Sequence, residues 1–186
     1  PHPVIKGRCF EYICRNMQID VNPHDWFPGF GCFDRNDRPI SPLISQWDHE
    51  VTERYLKNTY PLLLERNAAG LHLMWKDFDH SVPDWDAVFT LGFPGLRDRA
   101  AVSARNGEEG TLDDRARAYF DGLDITICAV LECIGRFIDY ARKKHPGNPR
   151  INAETACLEQ LRTGAPRNTY EVLQIIYLHF MFSEHI

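Results

Sequence analysis

LHLMWKDFDHSVPDWDAVFTLGFPGLRDR, residues 71–99, holds two histidines (His72 and His80), four carboxylates before residue 87 (Asp77, Asp79, Asp84 and Asp86) and two of the four tryptophans (Trp75 and Trp85). It also carries a helix start. Ser81 can accept from the amide of Asp84 while the Asp84 carboxylate reaches back, with Pro83 in the first turn, where a missing donor costs little. On that spacing the helix begins just after His80, which lies at the positive end of its dipole. Two roles are open to His80 on these residues: a side chain held into a cleft ahead of a rigid helix, or a cap on a loop. The helix then meets Gly92 and Pro94, and a proline in mid-helix removes a hydrogen bond and clashes with the previous turn, so a break is expected near Phe93.

Outward from this stretch the pattern stays helical. A first helix is expected over 4–16, an ordered loop over 20–42, a helix over 46–57 capped by Ser45 and Asp48, and another over 61–69 closed by Gly70. Residues 106–110 read as a polar, mobile loop. Asp113 then opens the longest helix, to about residue 143. Its apolar stripe runs through Ala116, Tyr119, Phe120, Leu123, Ile127, Val130, Leu131, Ile134, Phe137, Ile138 and Ala141, with Cys128 and Cys133 near its edge. KKHPGNP stops it. A short helix over 152–162 ends at Gly164, and Asn168 with Glu171 makes a third capping box for the last helix. No strand-like alternation of useful length and no repeat is present, so the fold class expected is mainly α, over one helical region, 1–186.

Composition narrows the function. The 186 residues are 44% hydrophobic and 25% charged, a globular composition, with a formal net charge of -5. The 21 basic residues form no long block, which argues against nucleic acid or an anionic membrane surface as partner. The six cysteines include no C-x-x-C pair, and reduced, buried thiols in a cytoplasmic protein are the simplest reading. No signal peptide or apolar run of membrane length occurs. The chain starts at Pro1 and ends inside the apolar run IIYLHFMFSEHI, so it reads as a piece of something larger. The last helix would then leave its aromatic stripe (Tyr170, Tyr177, Phe180 and Phe182) uncovered.

DFDHSVPDWDAVFTLGFPGLRDRA resembles the segment G-H-T-x-P-D-Y-x-x-V-L-x-x-G-L-x-G of glycyl radical enzymes of the pyruvate formate-lyase superfamily, and within it the eliminase branch of glycerol dehydratase and choline lyase types. His80, Ser81, Val82, Pro83, Asp84, Trp85, Val88, Leu91, Gly92, Gly95 and Leu96 carry the match. A second match follows in order: GAPRNTYEVLQIIYLHFMF resembles P-A-x-P-x-x-F-x-E-A-x-Q-S-F-W-F-x-H through Pro166, Tyr170, Glu171, Gln174 and Tyr177. Asp79 stands where the family has glycine, Trp85 where it has tyrosine, and Pro94 is foreign to it. The cysteine that carries the thiyl radical and the R-V-x-G-Y glycine loop have no counterpart in these residues.

The resemblance implies the helical N-terminal portion of a ten-stranded α/β barrel lyase or dehydratase (formate acetyltransferase-like) that cleaves C–O, C–N or C–C bonds by radical chemistry. It implies His80 as the catalytic residue, His72 and His80 as substrate contacts, and no metal. The partners implied are a small-molecule substrate, the remainder of the barrel, an activating enzyme using S-adenosylmethionine and an iron–sulfur cluster to install the glycyl radical, and a second copy of the chain. Histidine suits proton delivery to a departing hydroxyl, and the apolar neighbours Leu73, Trp75 and Phe78 suit exclusion of water. The alternatives are a non-catalytic helical interaction module and a divalent-metal hydrolase using His72, Asp77, Asp79 and His80. No H-E-x-x-H signature supports the latter, and clustered aspartates near a helix start also answer the dipole.

Overall fold

The computed structural model describes residues 2–17, 19–24, 26–27, 53–54, 57–70, 82–108 and 112–184. These form the helices α1 (His2–Asn16), α2 (Tyr60–Ala68), α3 (Trp85–Glu108), α4 (Asp114–Lys144), α5 (Pro149–Thr163) and α6 (Thr169–Glu184), with no strand among the described residues. The helix expected over 46–57 and most of the loop expected over 20–42 lie outside them. α4 is the centre of the arrangement. It packs on α1 along most of that helix and on α3 and α5, while α5 also packs on α6 and α3.

Local chemistry sets the helix ends. The Asp113 side chain accepts from the Ala116 amide at 2.7 Å and starts α4, as the sequence predicts. α5 starts three residues earlier than expected because Asn148 caps it, accepting from Arg150 and Ile151, with Pro149 in its first turn. α6 has a variant of the expected capping box. Asn168 Oδ1 accepts from the Glu171 amide at 3.0 Å, but the Glu171 carboxylate reaches to the Arg167 amide, 2.6 Å, and also pairs with the Arg167 guanidinium at 2.9 Å. The helix also runs on over 106–108, part of the loop expected at 106–110.

The core is built around α4. Ile134, Phe137, Ile138 and Ala141 meet Ile151, Leu158 and Leu161 of α5, Ile175, Leu178 and Met181 of α6, and Val88 and Phe93 of α3 in one buried cluster. The second half of the apolar stripe therefore reads correctly. In its first half Ala116, Phe120, Leu123 and Ile127 are half-buried, and one residue of the stripe departs. Tyr119 is 56% exposed, while Ala118 and Gly122 are buried. The reason is a close backbone approach: a Cβ on Gly122 would lie 2.5 Å from the Pro3 carbonyl oxygen, and one on Gly7 2.7 Å from that of Gly122. α1 docks where α4 is smallest, a face that a search for large apolar residues passes over.

The last helix also departs from expectation. Phe182 is buried, within 6.1 Å of the Phe10 ring and 6.5 Å of the Phe93 ring, centroid to centroid. Tyr170 and Tyr177 are half-buried, and Phe27 stacks on both at 5.5 and 5.6 Å. Of the stripe expected to lie open, only Phe180 is an exposed residue, at 45%. Phe27, read as part of a loop, supplies the cover.

Glu171 gives this packing a pH dependence. Its carboxylate is buried, and the Arg167 guanidinium and amide hold its pKa below the usual carboxylate range. A lowered folded-state pKa stabilises above the unfolded value of about 4.3, and that contribution is lost as pH falls through the folded value. Glu171→Gln is expected to cost about 1.5–3 kcal/mol at neutral pH, the scale of a charged hydrogen bond. Thermal melts across pH should show the gap from wild type closing as pH drops below about 4.3. A gap independent of pH would show that the charge is not what matters.

Candidate functional site

His72, His80, Asp77, Asp79 and Ser81, the residues of the histidine–aspartate cluster, lie outside the described residues. The structure shows the other end of the motif and what it touches. The helix starts later than its sequence suggests: residues 82–84 are not helical, α3 begins at Trp85, and Asp84 is its cap, with Oδ1 accepting from the Ala87 amide at 3.1 Å. A nearer carboxylate at the N-cap position displaces the predicted Ser81 box. The first helical residue is thus Trp85, five positions after His80 in the sequence, where the spacing had placed the helix start directly after that histidine.

α3 is sharply broken. Gly92 has φ 62° and ψ 178°, a conformation essentially restricted to glycine. The break puts Pro94 in the first turn of the second arm, where its missing donor costs little. Gly92, ahead of the expected site at Phe93, makes the turn. It is sharp enough to bring the Arg99 guanidinium within 3.7 Å of the Asp84 carboxylate. A straight helix would separate residues fifteen apart by about 22 Å, beyond the joint reach of the two side chains. A Cβ on Gly92 would sit 2.6 Å from the Gly164 carbonyl oxygen, so the bend is pressed against the turn between α5 and α6. Gln160 donates to the Ala165 carbonyl at 2.9 Å and holds that turn.

The bend brings the two matched segments into contact. The Trp85 ring stacks on Phe89 at 5.4 Å, meets His179 edge-on at 5.3 Å, and lies 5.9 Å from Phe180. Trp85 belongs to the first segment, His179 and Phe180 to the second. His179 is half-buried, and burial holds its pKa below the ordinary histidine value. It is therefore a neutral imidazole at pH 7, able to donate from one ring nitrogen and accept at the other. The sequence reading did not single it out. The signal was a polar residue within the apolar run of the last helix.

Gln174, five residues earlier on α6, is fully buried, and neither its Nε2 nor its Oε1 has a partner among the described residues. A side chain in that state is rare in a folded interior. A separate cleft of about 470 Å³ opens between α1, α3 and α4, with Arg97 and Asp124 in its wall. Those two charges are paired at 2.7 Å and exposed, and the cleft is lined by none of the motif residues from 82 to 96. No group of three or more histidine, cysteine or carboxylate side chains among the described residues is disposed to hold a metal ion, and no helix among them is long and apolar enough to cross a membrane.

No protein family matches the sequence, and neither does any curated protein. Solved structures do. The glycerol-bound form of the B12-independent glycerol dehydratase from Clostridium butyricum superposes with a TM-score of 0.71 at 14% identity, over 100% of this chain and 30% of the dehydratase chain. The likeness is one of fold. It bears out the expected fold class, since the described residues are helices and the arrangement recurs as part of a much longer barrel enzyme. This chain spans 30% of that enzyme's length.

Proposed function

We propose that this chain is the helical N-terminal portion of a glycyl radical lyase or dehydratase and supplies one wall of its substrate chamber. The observation that carries this reading is the contact of Trp85 with His179 and Phe180. Two segments that resemble the family separately in sequence meet in space, within a fold shared with a glycerol dehydratase. His80 is the proton donor to the departing group, and His72 a second polar contact to the substrate. The aromatic cluster of Trp85, Phe89 and Phe180 gives this wall an apolar surface that disfavours water.

The glycyl radical, installed in the rest of the enzyme by an activating enzyme that uses S-adenosylmethionine and an iron–sulfur cluster, would supply the hydrogen-atom abstraction. No residue of these 186 lies in a matching glycine loop or radical cysteine loop. The contributions of this chain are accordingly binding, proton delivery and a dry wall. Its partners are the remainder of the barrel, a small hydroxylated substrate and the activating enzyme.

Electron paramagnetic resonance tests the reading. Anaerobic incubation of the 186-residue chain with the activating enzyme and S-adenosylmethionine is expected to give no organic radical, whereas a longer polypeptide that carries this region and a glycine loop gives a glycyl doublet. A doublet from the short chain, or none from the longer one, overturns the proposal.

A further inference from the structure

A second cleft, of about 400 Å³, opens beside the first turns of α5 and α6. Its lining is Trp26, Arg150, Ala153, Glu154 and Tyr170, none of which belongs to the Trp85 cluster or to the cleft beside Arg97. The volume is that of a small-molecule site. The Trp26 side chain is 78% exposed, yet its main chain is fixed, because the Tyr170 hydroxyl donates to the Trp26 carbonyl at 2.7 Å. Arg150 and Glu154, one turn apart on α5, are joined Nε to Oε1 at 2.9 Å. The guanidinium is exposed, whereas the carboxylate side chain is only 4% exposed.

Taken singly, these features are ordinary: exposed apolar side chains are common, and pairs at this spacing support helices. Folding does not require that they converge on one cleft. An exposed indole offers a flat face of negative charge density. The ion pair sets a hydrogen-bond donor and an acceptor side by side, and is neutral as a unit. We propose that this cleft binds a neutral pyranose sugar. The C–H bonds on one face of such a ring make an apolar, slightly positive surface that fits over the indole of Trp26. Its edge carries neighbouring hydroxyl groups, each both donor and acceptor. One donates to the Glu154 carboxylate while the next accepts from the Arg150 guanidinium, and bonds to charged groups are the stronger kind. A carboxylate and a guanidinium each hold several hydrogen bonds, so their bond to each other leaves capacity for a ligand.

Charge argues against the other classes of ligand. A cation meets Arg150 and an anion meets Glu154, so neither gains a net attraction from a pair that is neutral overall. A wholly apolar ligand would strip water from the pair and return no hydrogen bond, at a cost in free energy. A ring with an apolar face and vicinal hydroxyls answers both the aromatic and the charged part of the lining. The site is independent of the reaction proposed above, and stands or falls separately from it.

The test uses the 186-residue chain with methyl β-D-glucopyranoside as probe. Saturation-transfer NMR detects the bound sugar, and titration of the indole N–H signals follows affinity. Wild type is expected to transfer saturation most strongly to the ring C–H protons and to shift one indole signal, the one that Trp26→Ala removes. Trp26→Ala is expected to weaken binding about tenfold or more. Its melting temperature should not change, because the variant keeps the carbonyl that Tyr170 holds. Glu154→Gln is expected to weaken binding about tenfold or more, the scale of a hydrogen bond to a charged group. Tyr119→Ala, which removes an exposed aromatic ring elsewhere, should bind as wild type does. The proposal is overturned if the glucoside receives no saturation, if Trp26→Ala binds as tightly as wild type, or if benzoate or tetramethylammonium binds more tightly than the glucoside. Should Glu154→Gln fail to fold, Arg150→Met on the exposed side of the pair decides: undiminished affinity there overturns it equally.

Discussion

Replacing Gly92 with alanine is expected to destabilise the protein by about 3 kcal/mol, lowering its melting temperature by about 6–12 °C for a chain of this size. Two costs combine. The backbone at φ 62° and ψ 178° is a region that side chains other than glycine's avoid, at about 1–3 kcal/mol. The new methyl group would also lie 2.6 Å from the Gly164 oxygen and 3.0 Å from the Ala165 Cα, both backbone atoms that cannot swing aside. Relief requires α3 to pull away from the α5–α6 turn, at roughly the cost of overpacking a core. Gly147 supplies the control. It too has a positive φ, 74°, but nothing lies within 4 Å of the place a Cβ would take. Gly147→Ala should therefore show strain alone, about 1 kcal/mol. Calorimetry of the two variants separates the terms. Equal losses would mean that the contact with Gly164 is not what fixes the bend.

That bend also shows where sequence reading succeeds and where it stops. A Gly–Phe–Pro run announces a break, and the break is there. The residue that makes it, and the sharpness that joins Asp84 to Arg99, follow from how α3 rests on a turn seventy residues later in the chain. Local signals carry local facts: Asp113 and Asn168 cap the helices they were expected to cap. Ser81 does not fit this rule, because Asp84 at the N-cap position competes for the helix start. The two halves of α4 divide in the same way. From Val130 onward the buried face is made of large apolar side chains, and spacing finds it. Before that the partner is α1, seated on Gly122, and glycine leaves no hydrophobic periodicity to detect.

The candidate site was legible as two segments but not as one place. Resemblance marked Trp85 and the run from Tyr170 to Tyr177 without saying that they meet. The contact falls on His179 and Phe180, just past the matched positions of the second segment. A histidine inside an apolar helix was the only local hint.

The other large effect is expected at His80, and rests on the proposed role of this chain in a longer enzyme. There, His80→Ala should reduce turnover by a factor on the order of a hundred or more, the usual contribution of a positioned proton-transfer group. Elimination of a hydroxyl group requires a proton at the departing oxygen, and histidine can carry one near neutral pH. Cap and catalyst make opposite predictions. Since α3 starts at Trp85 with Asp84 as its cap, the helix does not depend on His80 for its first hydrogen bonds. The melting temperature should therefore stay within about 1–2 °C of wild type, the scale of a neutral surface change. Radical content should also be unchanged, because installing the radical does not involve the substrate's departing group. Turnover per radical is the discriminating quantity. If it falls about a hundredfold while stability and radical yield hold, His80 acts on the substrate. If turnover falls only in step with lost radical or lost fold, His80 serves structure and the proton comes from another group.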